Sequence, residues 1–272
     1  MALGNNGPGW LFCPADRPER FEKAAAAADV VILDLEDGVA AKDRDAARKA
    51  LIDTPLDPSK TVVRINPVTT PDHLPDLEAL KSTDYTTVML AKTETPEQIA
   101  SLAPLDVVVL IETPLAALVV AELARVDNAF AVMWGAEDLF AVLGGTANRN
   151  ADGSYRDVAR HVRSQSLLAA KAYGRMALDS VYLDIKDLDG LAAETDDAVA
   201  VGFDAKVAIH PTQVAVIRSG YAPSEKQVDW ARRVLDTARD QRGVFQFEGI
   251  MVDAPVLRRA ERIVALAPHP GS

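Results

Sequence analysis

Short apolar runs that end in charged residues constrain the fold of this 272-residue chain more than any other feature. There are five such runs, and most of their residues are valine, isoleucine, leucine, methionine or alanine. Their charged ends are Glu36-Asp37, Arg64, Lys92, Glu112 and Glu137-Asp138. Continuous apolar runs are typical of parallel strands that are covered on both faces. The pattern therefore predicts parallel strands whose ends bring acidic and basic side chains together.

Eight apolar runs in all alternate with segments of helical periodicity, which predicts a (β/α)8 TIM barrel, with a doubly wound sheet as the alternative. The predicted strands are Leu11–Cys13, Val30–Asp34, Val62–Ile65, Val88–Ala91, Val107–Ile111, Ala131–Trp134, Val181–Asp184 and Val207–Ile209. The predicted helices between them include Pro18–Ala28, Lys42–Ile52, Pro96–Leu102, Leu115–Arg125 and Val158–Tyr173. A barrel of this kind commonly takes about 250 residues as one domain, which fits the length of the chain.

The pattern changes after the eighth run. The sequence there predicts a long amphipathic helix, a small hairpin with Glu248-Gly249 at its turn, and a final helix, over Ser224–Gln241, Phe245–Asp253 and Pro255–Leu266. We therefore predict a flexible N-terminal tail over residues 1–9, a barrel over residues 10–220 and a C-terminal helical and hairpin appendage over residues 221–272.

Composition excludes several classes of function. The net charge of −11 leaves no concentrated basic face of the kind that nucleic-acid binding needs. No apolar run approaches the roughly 18–20 residues that span a membrane. A single cysteine, Cys13, excludes an intrachain disulfide, and the first nine residues do not look like a signal peptide. We therefore expect a cytoplasmic protein that binds neither nucleic acid nor membrane.

Glu112 and Asp138 follow consecutive strands, so their carboxylates are expected to converge at the carboxyl-terminal face of the barrel. Two carboxylates, completed by waters and substrate, are typical ligands of Mg²⁺, and no histidine or cysteine lies near either residue in sequence to favour Zn²⁺. Glu36 and Asp37 are candidates to hold metal-bound waters. The plainer alternative for each acid is a helix cap or a solvated carboxylate.

Arg64 lies within an apolar strand, where an unpaired cation is costly. It either forms a buried structural pair with Glu36 or Asp37, or grips a substrate carboxylate or enolate, and the two roles are compatible. The small residues Gly135 and Ala136, followed by Glu137, form a strand-to-helix turn whose backbone N–H groups are candidates to bind an anion.

Six segments occur in the same order as in a known family: Cys13–Arg20, Leu33–Val39, Arg64-Ile65-Asn66, Ile111–Pro114, Gly135–Leu139 and Ala208–Gln213. On these motifs the chain, from about Trp10 to Leu266, resembles the citrate lyase β-subunit-like proteins. These belong to the aldolase superfamily that includes malyl-CoA and citramalyl-CoA lyases. The chain departs from its relatives at Glu248-Gly249, where they often carry Asp-Gly.

The resemblance implies a TIM barrel, one Mg²⁺ bound by Glu112 and Asp138, and binding of the keto-acid end of the substrate by Arg64. It also implies a homotrimer in which Asp253 of the C-terminal segment completes the site of a neighbouring subunit. Because coenzyme A carries several phosphates, basic residues near the strand ends are candidates to contact it, with ordinary surface ion pairs as the alternative. These residues are Arg17, Arg20 and Lys92.

We therefore predict a Mg²⁺-dependent carbon–carbon lyase that cleaves, or forms by condensation, a β-hydroxyacyl-CoA. Malyl-, citramalyl-, citryl- and hydroxymethylglutaryl-CoA are the candidate substrates, and acetyl-CoA and a keto acid are the products. One alternative is an aldolase that acts on free hydroxy keto acids through a pyruvate enolate. The other is a non-catalytic subunit that binds an acyl-carrier protein or a CoA ester.

Overall fold

The protein was analysed as a computed structural model that describes residues 3–241 and 243–267. The chain divides into two compact units, Met1–Ile217 and Arg218–Ser272. The first unit contains eight parallel strands that close into a barrel, because β1 pairs with both β2 and β8. The predicted TIM barrel is confirmed, and closure rules out the open doubly wound sheet. The strands are β1 Gly9–Pro14, β2 Val30–Asp34, β3 Thr61–Ile65, β4 Thr87–Leu90, β5 Asp106–Ile111, β6 Ala129–Trp134, β7 Met176–Asp179 and β8 Ala205–Ala208.

Helices follow the strands in the order expected of this fold. They are α1 Phe21–Ala27, α2 Arg44–Asp53, α3 His73–Leu80, α4 Pro96–Ala100, α5 Pro114–Ala124, α6 Ala136–Leu143, α7 Asp157–Ala172, α8 Leu188–Val201 and α9 Pro211–Tyr221. The start of α5 shows how local sequence sets a helix end. Pro114 occupies the first turn, where its missing N–H costs nothing, and the Thr113 hydroxyl accepts a hydrogen bond from Ala116 N at 3.2 Å.

The inside of the barrel is filled by apolar side chains from alternate positions of the strands. They include Trp10, Ile32, Val62, Met89, Val108, Met133, Leu178 and Val207, none of which is more than 3% exposed. Successive residues of a strand face opposite sides, so the residues next to them face the helices. The bottom and middle of the barrel are thus a packed core, and the carboxyl ends of the strands are left to carry polar groups.

The sequence misplaced the seventh strand. It predicted Val181–Asp184, whereas β7 is Met176–Asp179 and the predicted segment follows it without regular structure. The error has a physical cause, since β7 ends in an acid that is fully buried. Asp179 bonds the side chains of Trp134, Arg163 and Lys206, so a charge that looked like a loop signal belongs to the strand.

The eighth strand was predicted late for the same reason. It runs from Ala205 to Ala208 and includes Lys206, which is 0% exposed. The Lys206 ammonium lies 3.1 Å from Asp179, 2.8 Å from Glu194 on α8 and 2.8 Å from the carbonyl oxygen of Ser180. A buried cation with this many acceptors is compensated, so the charge is compatible with the barrel wall.

The first residues are packed and do not form the free tail that the sequence predicts. Leu3 is 6% exposed and belongs to the barrel core, and Asn6 donates a hydrogen bond to the carbonyl oxygen of Ser59 at 2.5 Å. Gly9 already lies in β1. The prediction overlooked that one leucine suffices to anchor a short segment. Residues 1 and 2 lie outside the described part of the chain.

The second unit has a small core of its own. It contains α10 Glu225–Ala238, a hairpin of β9 Phe245–Phe247 and β10 Ile250–Val252, and α11 Ala254–Leu266. The hairpin turns at Glu248 and Gly249 with φ of 48° and 84°, as two-residue turns of this kind require. The buried residues of the core of the second unit are Ala231, Val234, Val252 and Ala260. Over the residues described, no helix of the protein is long and apolar enough to cross a membrane.

Candidate active site

Charged and polar side chains gather at the carboxyl-terminal ends of β2 to β6, the face at which barrels of this fold bind ligands. The structure brings together, through direct contacts, six of them: Asp34, Glu36, Arg64, Lys92, Glu112 and Asp138. We call this group the acidic mouth.

Arg64 is anchored by a two-pronged ion pair. Its Nε and Nη2 donate to the two carboxylate oxygens of Asp34 at 2.7 and 2.6 Å, and Nη1 lies 3.2 Å from Glu36 Oε2. The guanidinium also lies 4.7 Å above the ring of Phe12. Burial disfavours the charge of Arg64, but the carboxylate of Asp34 outweighs this and raises its pKa above the usual range. The main partner is therefore Asp34, which the sequence did not suggest, while Glu36, one of the two acids that it did suggest, forms a second buried pair with Arg64 and Asp37 pairs with Lys92.

Asp34 also shapes the loop that follows β2. Besides Arg64, its oxygens accept backbone N–H groups from Glu36 at 2.9 Å and Gly38 at 2.8 Å. A Cβ at position 38 would lie 2.3 Å from Asp34 Oδ2, so only glycine allows the loop to close on this carboxylate. Asp34 thus fixes both the arginine and the loop that carries Glu36 and Asp37.

Glu112, directly after β5, is a buried carboxylate with little compensation. It is 1% exposed, and Oε1 accepts the backbone N–H of Lys92 at 2.8 Å. Burial and the negative charge of Asp138 raise the pKa of Glu112 to about 8. Asp138, in the first turn of α6, has a side chain that is 37% exposed. A Cβ at Gly135 would approach Glu112 Cβ to 3.0 Å, so the glycine permits this close packing.

The pair of Glu112 and Asp138 fits a hard divalent cation. Two oxygen ligands from carboxylates, completed by waters and substrate, match the usual coordination of Mg²⁺. Burial and the charge of Asp138 both raise the pKa of Glu112, and a divalent cation bound at this pair would oppose both effects. In the part of the chain that is described, no cluster of three or more His, Cys, Asp or Glu side chains forms a metal site.

Lys92 belongs to the acidic mouth and is engaged there. Its ammonium donates to Glu36 and lies 3.2 Å from Asp37 Oδ2 and 3.8 Å from Asp138 Oδ1. Burial lowers the pKa of Lys92, but the hydrogen bond to Glu36 and the charge of Glu112 raise it above its usual range. Lys92 is thus already paired with acids of the mouth, so a contact between Lys92 and the coenzyme A phosphates stays a prediction.

Glu36 and Asp37 differ although they are adjacent. The Glu36 side chain is 4% exposed and lies between Arg64 and Lys92, whereas that of Asp37 is 54% exposed. Burial raises the pKa of Glu36, and its two cationic neighbours offset part of that rise. Glu36 therefore orients the basic side chains of the mouth, while Asp37 is the residue of the two that remains open to water.

The turn after β6 offers fewer free N–H groups than its sequence suggests. Gly135 N donates to the carbonyl oxygen of Ile111 at 2.8 Å, and Ala136 N lies 3.4 Å from Ser180 Oγ. Glu137 is exposed and accepts a hydrogen bond from Asn148 Nδ2 at 2.6 Å. The N–H of Gly135 is therefore committed to the barrel, and an anion contact at this turn would fall on the residues after it.

Two predicted phosphate contacts lie near the end of β1. Arg17 and Arg20 have side chains that are 45% and 56% exposed, with weak pairs to Asp16 at 3.7 Å and Glu19 at 3.9 Å. Arg20 also lines a cavity of about 310 Å³, together with Phe12, Lys23 and His210. Phe12 is the residue under the Arg64 guanidinium, so this cavity adjoins the acidic mouth.

Asp253 lies in the second unit, between β10 and α11. It is the N-cap of α11, and its Oδ1 accepts the backbone N–H of Val256 at 3.4 Å. One long hydrogen bond leaves carboxylate acceptor capacity unused within that unit. Capping α11 is a structural role, so a catalytic role of Asp253 stays a proposal.

Asp34 lies within one of the sequence motifs, but the sequence analysis predicts no role for it. Its role could have been predicted from the fact that two neighbouring apolar strands each contain one charged residue. Asp34 in β2 is in register with Arg64 in β3, which places an acid beside a base in a buried sheet. Because a buried charge needs a partner, opposite charges at neighbouring positions of two buried strands are expected to form an ion pair.

Three comparisons place the chain among known proteins. A family model described as HpcH/HpaI aldolase/citrate lyase matches residues 9–211. The chain is 61% identical over 267 residues to a citrate lyase subunit beta-like protein of Mycobacterium tuberculosis, covering 98% of each chain. It is 31% identical to the human mitochondrial citramalyl-CoA lyase, over 94% of this chain and 84% of the relative.

Among solved structures, the chain is similar to protein CitE from M. tuberculosis in complex with magnesium, acetoacetate and coenzyme A. The TM-score is 0.94 at 61% identity, covering 97% of this chain and 99% of that one. The likeness therefore extends over the second unit as well as the barrel.

The pair of Asp34 and Arg64 generates a test by substitution. We expect Asp34→Asn to lower the free energy of unfolding by about 3 kcal/mol, because it leaves a buried guanidinium without its counter-charge. Asp37→Asn, on the same loop but exposed, is the matched control and should change stability little. Chemical denaturation measures both. Equal, small effects in the two variants would show that Asp34 does not anchor the mouth.

Proposed function

The chain belongs to the HpcH/HpaI aldolase/citrate lyase family, and on that basis we propose that it is a Mg²⁺-dependent acyl-CoA lyase whose site is the acidic mouth. Its substrate class is a β-hydroxyacyl-CoA with a carboxylate at the far end. The observation that carries the proposal is the meeting of a buried arginine fork, Arg64, with the carboxylate pair of Glu112 and Asp138. The family cleaves carbon–carbon bonds, and relatives of this chain have magnesium and coenzyme A in their structures.

The acid end of the substrate would bind at the mouth. Glu112 and Asp138 are the residues that would hold magnesium, which when bound supplies positive charge to polarise a substrate oxygen. Arg64 uses part of its N–H fork for Asp34 and Glu36, and its remaining N–H groups can donate to a substrate carboxylate or to an oxygen that gains charge.

Cleavage is a reverse aldol-type reaction in which the proton count balances. The substrate hydroxyl gives its proton to a base, a C–O double bond forms, and the neighbouring carbon–carbon bond breaks. The electron pair of that bond passes to the thioester as an enolate, which becomes acetyl-CoA when its carbon takes up a proton. Arg64 stabilises negative charge on oxygen throughout, and Asp253 is the proposed donor of the carbon proton. Condensation is the same sequence in reverse.

Coenzyme A would reach the mouth along the cavity between the ends of β1 and β8. Arg17 and Arg20 are the proposed contacts to its phosphates, supported by their exposure and weak pairing. Lys23 and His210 line the same cavity and add basic groups.

The C-terminal region, residues 221–272, is proposed to act in the assembly of subunits. We infer a homotrimer in which this region of one subunit brings Asp253 to the mouth of its neighbour. The proposal is supported by the exposed apolar side chains of the hairpin, among them Ile250 and Met251. A cytoplasmic location is part of the proposal and rests on the single, buried cysteine.

A thioester screen with matched variants tests the function. We expect release of acetyl-CoA from at least one of malyl-, citramalyl-, citryl- and hydroxymethylglutaryl-CoA, and loss of turnover on chelation of the metal. Glu112→Ala and Asp138→Ala should each lower turnover by orders of magnitude while folding normally, because they remove a metal ligand. Glu122→Ala, an exposed acid on α5, is the control. Turnover of free hydroxy keto acids alone would instead indicate a pyruvate-enolate aldolase, and binding without turnover a carrier subunit.

Shared sites are tested by mixing inactive subunits. We expect Asp253→Asn to fold and bind Mg²⁺ normally but lose about 10²–10⁴-fold in rate, the usual contribution of a proton-transfer group. In hybrids of Asp253→Asn with Glu112→Ala, some interfaces pair an intact metal site with an intact aspartate, so activity should partly return. Hybrid oligomers that are verified and still inactive would contradict a shared site.

A further inference from the structure

The Lys92 ammonium lies among carboxylates from two parts of the chain. It donates to Glu36 and lies 3.2 Å from Asp37 Oδ2, both on the loop after β2. It also lies 3.8 Å from Asp138 Oδ1, at the start of α6. The backbone N–H of the same residue holds Oε1 of Glu112 at 2.8 Å. Lys92 thus contacts both carboxylates of the proposed metal pair, one through its backbone and one through its charge.

The position of Lys92 is set by the backbone and is not that of a free surface lysine. Its φ of 50° is in the left-handed region, which only one other non-glycine residue of the described chain shares. That residue is Glu248, in the turn of the hairpin. Left-handed backbone at a lysine is unfavourable and persists where the surroundings require it. The conformation points the N–H at Glu112 while the side chain reaches Glu36.

The charges of the mouth divide into a balanced set and an unbalanced one. The cations Arg64 and Lys92 match Asp34 and Glu36, whose side chains are each 4% exposed. When both are ionised, Glu112 and Asp138 add two negative charges that these two pairs do not balance. A divalent cation that binds there would neutralise them, but it would enter beside an ammonium that repels it. An anion that binds with the metal would be attracted by the same ammonium.

We propose that Lys92 sets the relative affinity of this site for metal and acid: it weakens the binding of magnesium alone and strengthens the binding of the substrate's acid end. Metal and acid are then taken up together, because each is bound more tightly once the other is present. The proposal rests on the assignment of the metal to Glu112 and Asp138 in the proposed function.

Lys92→Met tests the proposal, since it keeps an unbranched side chain that is one atom shorter and removes the charge. Mn²⁺, which accepts the same oxygen ligands, is titrated alone and read by electron paramagnetic resonance. Pyruvate, a small 2-oxo acid, is then titrated at saturating Mn²⁺ by calorimetry. We expect the Kd for Mn²⁺ to fall by about tenfold and the Kd for pyruvate to rise by about tenfold, in opposite directions. Lys81→Met, which removes an exposed ammonium directly after α3, is the control and should change neither constant.

Two further variants keep the outcome decisive. Lys92→Gln retains a donor for Glu36 without the charge and should reproduce both shifts, which covers a failure of Lys92→Met to fold. Glu112→Ala should abolish Mn²⁺ binding, and if it does not, the metal assignment itself fails. If Glu112→Ala does abolish binding while the neutral Lys92 variants leave either constant unchanged, or move both in the same direction, the role of Lys92 is overturned and the metal site stands.

Discussion

The buried ion pair between Asp34 and Arg64 is the interaction on which the rest of the site depends. It joins neighbouring strands at the end of β2 and β3, and Asp34 uses its remaining capacity to hold the backbone of Glu36 and Gly38. An arginine inside a barrel wall is tolerated only with such a partner. Once it is in place, the loop after β2 has one conformation, and Glu36 is brought to Lys92. The positions of the other residues of the acidic mouth on the loop after β2 therefore depend on the ion pair between Asp34 and Arg64.

Charge balance then explains why the mouth suits this chemistry. Arg64 and Lys92 pair with the buried carboxylates of Asp34 and Glu36, and Glu112 and Asp138 are the proposed ligands of a divalent cation. A site that is neutral only when metal is bound can accept an acid and still stabilise the negative charge that develops on oxygen when a carbon–carbon bond breaks. In the proposed function, Arg64 and Lys92 would supply this stabilisation from fixed positions.

The sequence was sufficient for the barrel and for most of the site because both depend on local patterns. Apolar runs gave six of the eight strands closely, and their charged ends identified Arg64, Glu112 and Asp138. It failed where a charge is buried in the barrel wall, as at Asp179 and Lys206, because a charged residue there reads as a loop until its partner is known. It placed Asp34 in the second strand but gave it no partner. Pairings between strands are tertiary facts, and only the register of β2 and β3 reveals them.

The location of the metal is the claim on which function, mechanism and the role of Lys92 all rest. Anomalous diffraction from crystals soaked in Mn²⁺ measures it directly, because Mn²⁺ scatters anomalously and takes the oxygen ligands of Mg²⁺. We expect one peak per subunit, at about 2.0–2.3 Å from carboxylate oxygens of both Glu112 and Asp138. A peak on Glu36 and Asp37 instead, or none at saturating metal, would contradict the account.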